Sequence, residues 1–203
     1  VTPDGKFAHA RALLRADRDA EAGKVAREAW IDETFGPGQE RQFHGLLGRF
    51  LTPADHVARL DRLLWDGHLH SAKRMLRRVP QGWQRLAQAR MLLRARKPGV
   101  DWAIARVPDE LKDHPGLVYE RMRWRRKKGR YEDAMELLGA ERVNEGTRPD
   151  LWWRERAILT REALQMGYIT RAYETARNHG QDDGIGFAEG EWLAGWIALR
   201  FLR

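Results

Sequence analysis

Glu189 and Glu191 are the pair of carboxylates closest to what acid–base chemistry needs. Glycoside cleavage uses two carboxyl groups that face one bond. On a helix, however, residues i and i+2 point to opposite sides, so this pair cannot share a substrate. The histidines are His9, His44, His56, His68, His70, His114 and His179. None forms the i, i+4 pair of a helical metal site; His68 and His70 are two apart. Ser71, the only serine, falls inside a helical pattern rather than at a strand-to-helix elbow. Gly184-Ile-Gly186 lacks both the preceding strand and the following lysine of a phosphate loop. The chain has no cysteine, which excludes disulfides, thiolate metal sites and cysteine nucleophiles. The reading is therefore no catalytic residue, no cofactor-binding residue, no metal ligand and no cofactor.

What remains is surface and charge. The 203 residues carry a formal charge of +8, with 33% charged and 42% hydrophobic residues. That composition excludes a disordered chain. No apolar run is long enough to span a bilayer. Arginine supplies 30 of the 37 basic residues, most densely in Arg121-Met-Arg-Trp-Arg-Arg-Lys-Lys-Gly-Arg130. Such a run can meet a polyanion, but on a helix it reads first as a solvated face. No nucleic-acid partner is expected. The nine tryptophans fall at helical spacing and read as core.

The elements that carry these residues repeat. Gly67, Pro98-Gly99, Gly129 and Gly167 each end a helical pattern; Gly67, Pro98, Gly129 and Gly167 stand 31, 31 and 38 residues apart. Glycine just past a helix end takes the left-handed conformation at little cost. Counted from each breaker, offsets +2, +5, +6 and +9 form one helix face. They are Leu69, Ala72, Lys73 and Leu76; Val100, Ala103, Ile104 and Val107; Tyr131, Ala134, Met135 and Leu138; Ile169, Ala172, Tyr173 and Ala176. Only Lys73 interrupts the stripe. Offset +5 is always alanine, small enough for two helices to approach closely.

Partner helices precede the breakers, at 53–66, 83–97, 115–128 and 149–166. Three carry proline near the first turn, where its missing N–H costs nothing, and Thr52 is placed to cap the first of them. This period of two helices and two turns predicts an all-α fold, an α-solenoid or superhelix of stacked helical hairpins. Residues 1–51 read as N-terminal helices broken at Gly36-Pro-Gly38. Residues 52–203 read as the helical-repeat superhelix. After a loop at 181–186, residues 187–202 form a helix that is apolar nearly all round from Trp192 onward. A helix of that kind is buried on several sides, so an element beyond Arg203, or a partner subunit, is expected to cover it.

Several stretches resemble a known family. They are Asp55-His56 with Arg59-Leu-Asp-Arg-Leu-Leu-Trp-Asp-Gly67, Pro115-Gly-Leu-Val-Tyr-Glu-Arg121, and Trp152-Trp-Arg-Glu-Arg156 with Arg161-Glu-Ala-Leu-Gln-Met-Gly167. Ala172-Tyr-Glu-Thr-Ala176, Asn178-His-Gly180 and Phe187 to Leu202 complete the set. Together they are similar to the superhelical domain of soluble lytic transglycosylases, most densely over 152–202. The resemblance implies a periplasmic location, with any leader removed ahead of Val1. It implies peptidoglycan glycan strands as partner, and a C-terminal lysozyme-like domain that cleaves the MurNAc–GlcNAc bond to a 1,6-anhydro product. The family's Glu-Ser catalytic pair is absent from this sequence, so no catalytic residue is carried over and the chain alone is expected to be inactive. The other reading is a free-standing helical-repeat adaptor for a protein or polyanion.

Overall fold

The computed structural model describes residues 2–138 and 148–202; Val1 and Arg203, the two chain ends, lie outside it. The described residues are all-α, with thirteen α-helices and no strand among them. They divide into two compact units, Val1–Met91 with Gly99–Leu111, and Leu92–Pro98 with Lys112–Arg203.

The first unit holds α1 (Pro3–Arg15), α2 (Asp19–Asp32), α3 (Pro37–Leu47), α4 (Pro53–Trp65) and α5 (Leu69–Met75). It also takes most of α6 (Gln81–Ala95), α7 (Val100–Ala105) and the start of α8 (Asp109–Lys112). Helix α1 packs on α2, α2 on α4 and α4 on α5. The second unit holds α9 (Pro115–Lys127), α10 (Tyr131–Leu138), α11 (Pro149–Gln165), α12 (Ile169–Arg177) and α13 (Gly184–Phe201). Each packs on the next, and α11 also touches α9 and α13.

The helices start and stop for local reasons. Thr52 closes a capping box with Asp55: its hydroxyl accepts from the Asp55 N–H, and the Asp55 carboxylate accepts from the Thr52 N–H at 2.7 Å. Gly36 is the N-cap of α3, so Pro37 and Gly38 open that helix instead of lying in the loop.

Five helices end in the same hydrogen-bonded turn. The left-handed residues are Asp17, Gly67, Arg96, Gly129 and Gly167. After each, the next N–H reaches back five residues to a carbonyl: Arg18 to Leu13, His68 to Leu63, Lys97 to Leu92, Arg130 to Arg125 and Tyr168 to Ala163, at 2.8–3.1 Å. This closure satisfies carbonyls that a helix end would otherwise leave bare.

Two of the five turns depart from the expected positions. The turn expected at Pro98-Gly99 comes earlier, at Arg96 (φ 52°), and Gly99 (φ 86°) serves instead as N-cap of α7. Proline has no N–H to close such a turn, so the turn forms ahead of it. The turn at Asp17 falls inside the region read only as N-terminal helices; aspartate tolerates the left-handed conformation through its short polar side chain.

The repeated alanine then has a defined place. Ala72, Ala134 and Ala172 have no exposed surface and Ala103 is buried; Ala22, five residues after Asp17, is a fifth case. Each alanine N–H donates to the carbonyl four residues earlier, in the turn itself, at 2.9–3.1 Å. The second helix of each pair therefore begins with a small side chain buried in its first turn. Lys73 points to solvent.

Ala172→Leu is expected to destabilise the second unit by about 1–3 kcal/mol through overpacking. Gly167→Ala, at φ 80°, should cost about 1–2 kcal/mol through the left-handed penalty. Lys73→Ala should stay within about 0.5 kcal/mol. Urea unfolding followed by tryptophan fluorescence measures all three.

Candidate functional site

Glu189 and Glu191 face different neighbours. The Glu189 carboxylate accepts from the Trp153 indole N–H at 3.0 Å and from Arg161 Nη2 at 2.7 Å. The Arg161 contact holds its carboxyl below the usual carboxylate range against the opposing pull of burial. Glu191 meets His179 Nε2 at 2.9 Å. The His179 ring lies edge-on to both Trp153 and Phe187. It also lies over Gly190, where an added Cβ would stand 2.6 Å from the ring. Both carboxylates thus fasten α13 to its neighbours.

The other candidates also have structural places. His68 is the N-cap of α5, and Ser71 on α5 accepts from Arg74 Nη2 at 3.1 Å. Gly184 and Gly186 lie in the first turn of α13, not in a loop. Among the described residues no three His, Asp or Glu side chains gather as a metal ion would require.

The basic run at 121–130 is only partly a solvated face, because Arg123 and Arg126 lie against buried acids. Glu120 and Glu155 are almost completely buried. Arg94 Nε donates to Glu120 at 2.7 Å, and Arg126 grips Glu155 with two nitrogens, Nη2 at 3.0 Å. Arg123 lies between them, 3.8 Å from Glu120 and 3.6 Å from Glu155. Burial, with the charge on Glu155, pushes the Tyr119 phenol up to about 12. The pairs Arg94–Glu120, Arg126–Glu155 and Arg161–Glu189 span 26, 29 and 28 residues. In the first unit Arg90 pairs with Asp61 across 29. Basic and acidic residues about 28 apart therefore recur along the sequence as a second repeat.

The first unit is organised around Trp30, which is fully buried. Phe35 and Phe43 stack beside it at 6.3 and 5.6 Å. Arg59, also fully buried, lies with its guanidinium carbon 4.3 Å from the Trp30 ring centre. Helix α2 has no basic residue in its last turn, and α4 supplies the missing cations. Arg59 donates to the carbonyls of Trp30 and Glu33, and Arg62 to those of Ile31 and Glu33. Burial lowers the Arg59 guanidinium to about 10, against the opposing charge of Glu40, so it stays charged at neutral pH. The Trp30 indole N–H donates to His56 Nδ1 at 3.1 Å, and the His44 ring lies 5.9 Å from that of His56. Burial lowers both imidazoles, and Arg78 lowers both further.

One surface has no such internal explanation. Gly190, Leu193 and Ile197 are the buried residues of α13. Ile185, Trp192, Trp196 and Leu199 are exposed and recur at helical spacing as a second stripe on the same helix. Trp192 is 63% exposed and stacks on Trp196 at 6.2 Å with planes 12° apart. The structure thus covers one face of this helix, where its composition predicts burial on several sides. The tryptophans split accordingly: Trp30, Trp65, Trp152 and Trp153 are core, whereas Trp102, Trp192 and Trp196 are exposed. No helix among the described residues is long and apolar enough to cross a membrane.

No protein-family model, characterised protein or solved structure matches this chain.

Removing Glu155 leaves the largely buried Arg126 without its carboxylate, so Glu155→Ala is expected to cost about 3–5 kcal/mol. Arg161→Ala, at the half-exposed Glu189 pair, should cost under about 1 kcal/mol. A denaturant series on both variants checks the contrast. The histidine pair gives a pH dependence. Because the fold holds His44 and His56 below the ordinary 6.5, the unfolded chain takes up protons first as pH falls. Stability of the first unit is then full above pH 6.5 and falls progressively below it. His44→Gln with His56→Gln keeps an acceptor for the indole and should flatten that slope in urea midpoints measured from pH 7.5 to 5.

Proposed function

We propose that this chain is the non-catalytic helical shell of a peptidoglycan lytic transglycosylase, working in the periplasm, and that it positions the glycan strand or the catalytic domain. The observation that carries the reading is α13. The stretch that most resembles the family, 152–202, contains the residues that fasten this helix: Trp153, Arg161, His179, Glu189, Gly190 and Glu191. The helix held in this way presents Ile185, Trp192, Trp196 and Leu199 outward. Apolar surface of this kind marks an interaction site. A catalytic domain or further helical hairpins would bury it. The segment 55–67 supports the same reading: Asp55 caps α4, His56 accepts from Trp30, Arg59 and Arg62 close α2, and Asp61 pairs with Arg90. In such an enzyme the parent breaks the MurNAc–GlcNAc bond and leaves a 1,6-anhydro sugar; this chain contributes placement and no bond breaking.

A second reading, a free-standing helical-repeat adaptor, is favoured by Arg11 and Arg15, two exposed guanidiniums with no ion pair among the described residues.

Incubation with purified sacculi, followed by mass spectrometry of the soluble products, tests the proposal. The chain alone should release no 1,6-anhydro muropeptides. The same region expressed with the coding sequence that follows Arg203 should release them. Trp192→Glu with Trp196→Glu should lower that release at least tenfold. Release by the chain alone, or by neither form, overturns the reading, and the second outcome leaves the adaptor.

A further inference from the structure

A groove of about 540 Å³ lies between α1 and α3 in the first unit, lined by Phe7, Arg11, Leu14, Arg15, Gln42 and Leu46. Its volume lies within the range of sites that hold small ligands or short peptides. Phe7 and Leu14 are half-buried, while the two arginines, Gln42 and Leu46 are exposed. One wall, on α1, is therefore basic at its rim. The other, on α3, offers an amide and the Leu46 side chain.

Several arginines of this protein are tied to acids, as at Glu40, Glu120 and Glu155. Arg11 and Arg15 make no ion pair among the described residues. Arg11 instead lies against the Phe7 ring, 5.8 Å from its centre, close enough for a cation–π contact that orders it at the rim.

The spacing selects the shape of the ligand. Residues i and i+4 of a helix stand about 6 Å apart along its axis. In an extended peptide, residues i and i+2 share one face and are separated by about 6.6 Å. Two carboxylates in that register match the two guanidiniums, and each such pair is a charge-assisted contact. The residue between them points the other way, toward the α3 wall, where Leu46 is exposed. A single carboxylate on a fatty chain would leave one guanidinium without a partner.

We propose that the α1–α3 groove binds an extended acidic peptide segment of a partner protein, with carboxylates on alternate residues set against Arg11 and Arg15 and an apolar side chain between them set against Leu46. This interaction is additional to the shell function and does not depend on it.

The test uses the full chain and fluorescein-labelled peptides acetyl-Gly-Glu-Leu-Glu-Gly, acetyl-Gly-Gln-Leu-Gln-Gly and acetyl-Gly-Glu-Gly-Glu-Gly, read by fluorescence anisotropy at low salt. The Glu-Leu-Glu peptide should bind at least tenfold more tightly than either control. Arg11→Ala with Arg15→Ala should weaken it at least tenfold, and Leu46→Ala several-fold. All three positions are exposed, and unchanged circular dichroism confirms that the variants fold. Equal binding of the Gln-Leu-Gln peptide, retention by the double arginine variant, or no binding at millimolar protein overturns the proposal. Equal binding of the Glu-Gly-Glu peptide reduces the contact to general charge attraction and also overturns it. Displacement of the bound peptide by laurate at stoichiometric concentration assigns the groove to a lipid anion instead.

Discussion

Carboxylates placed between helices must be neutralised there, and much of the second unit follows from that. Glu120 and Glu155 are almost without solvent, where an unpaired charge costs several kcal/mol. Arg94, Arg123 and Arg126 meet that demand. A guanidinium suits the task because its planar fork can satisfy two oxygens at once, as Arg126 does for Glu155. The helices that carry these groups, α9 and α11, are fixed in register, since sliding either by one residue would leave the acids bare. Part of the basic run and of the arginine content is thus the counter-charge for buried acids.

The first unit solves a related problem with dipoles. The C-terminal carbonyls of α2 converge where no basic residue of that helix can reach them. Arg59 and Arg62 enter from α4 and take up those carbonyls, while Trp30 packs against the Arg59 guanidinium. Charge, aromatic packing and helix termination are joined in one cluster. The same cluster sets the environment of His44 and His56, so their titration is a by-product of packing around Trp30.

The sequence made the hairpins readable because turn chemistry is local. Gly67, Gly129 and Gly167 take the left-handed conformation expected of them, and the alanines five residues later are buried. Asp17 makes the same turn without the glycine that marks it elsewhere, and the break at Pro98 moved to Arg96 because a proline cannot close that turn. The pairing of Arg126 with Glu155 was harder to see. It spans 29 residues, and no local pattern distinguishes a buried acid from a solvated one. For the same reason Glu189 and Glu191 drew attention as possible chemistry, although each serves to anchor α13. The groove at Arg11 and Arg15 depends on α1 and α3 meeting, which periodicity within either helix does not report.

The order of the partners along the chain has a consequence for synthesis. In the second unit three arginines precede the acids they meet across the helices: Arg94 before Glu120, Arg126 before Glu155 and Arg161 before Glu189; the short-range Arg123 follows Glu120. A ribosome adding roughly 5–20 residues per second delivers each acid about one to six seconds after its partner. The emerging segment is therefore cationic and well hydrated while it waits. The acid that must leave water arrives with its counter-ion already in place. For these three pairs vectorial growth makes the cation before the carboxylate, the reverse of the order at Asp61 and Arg90 in the first unit.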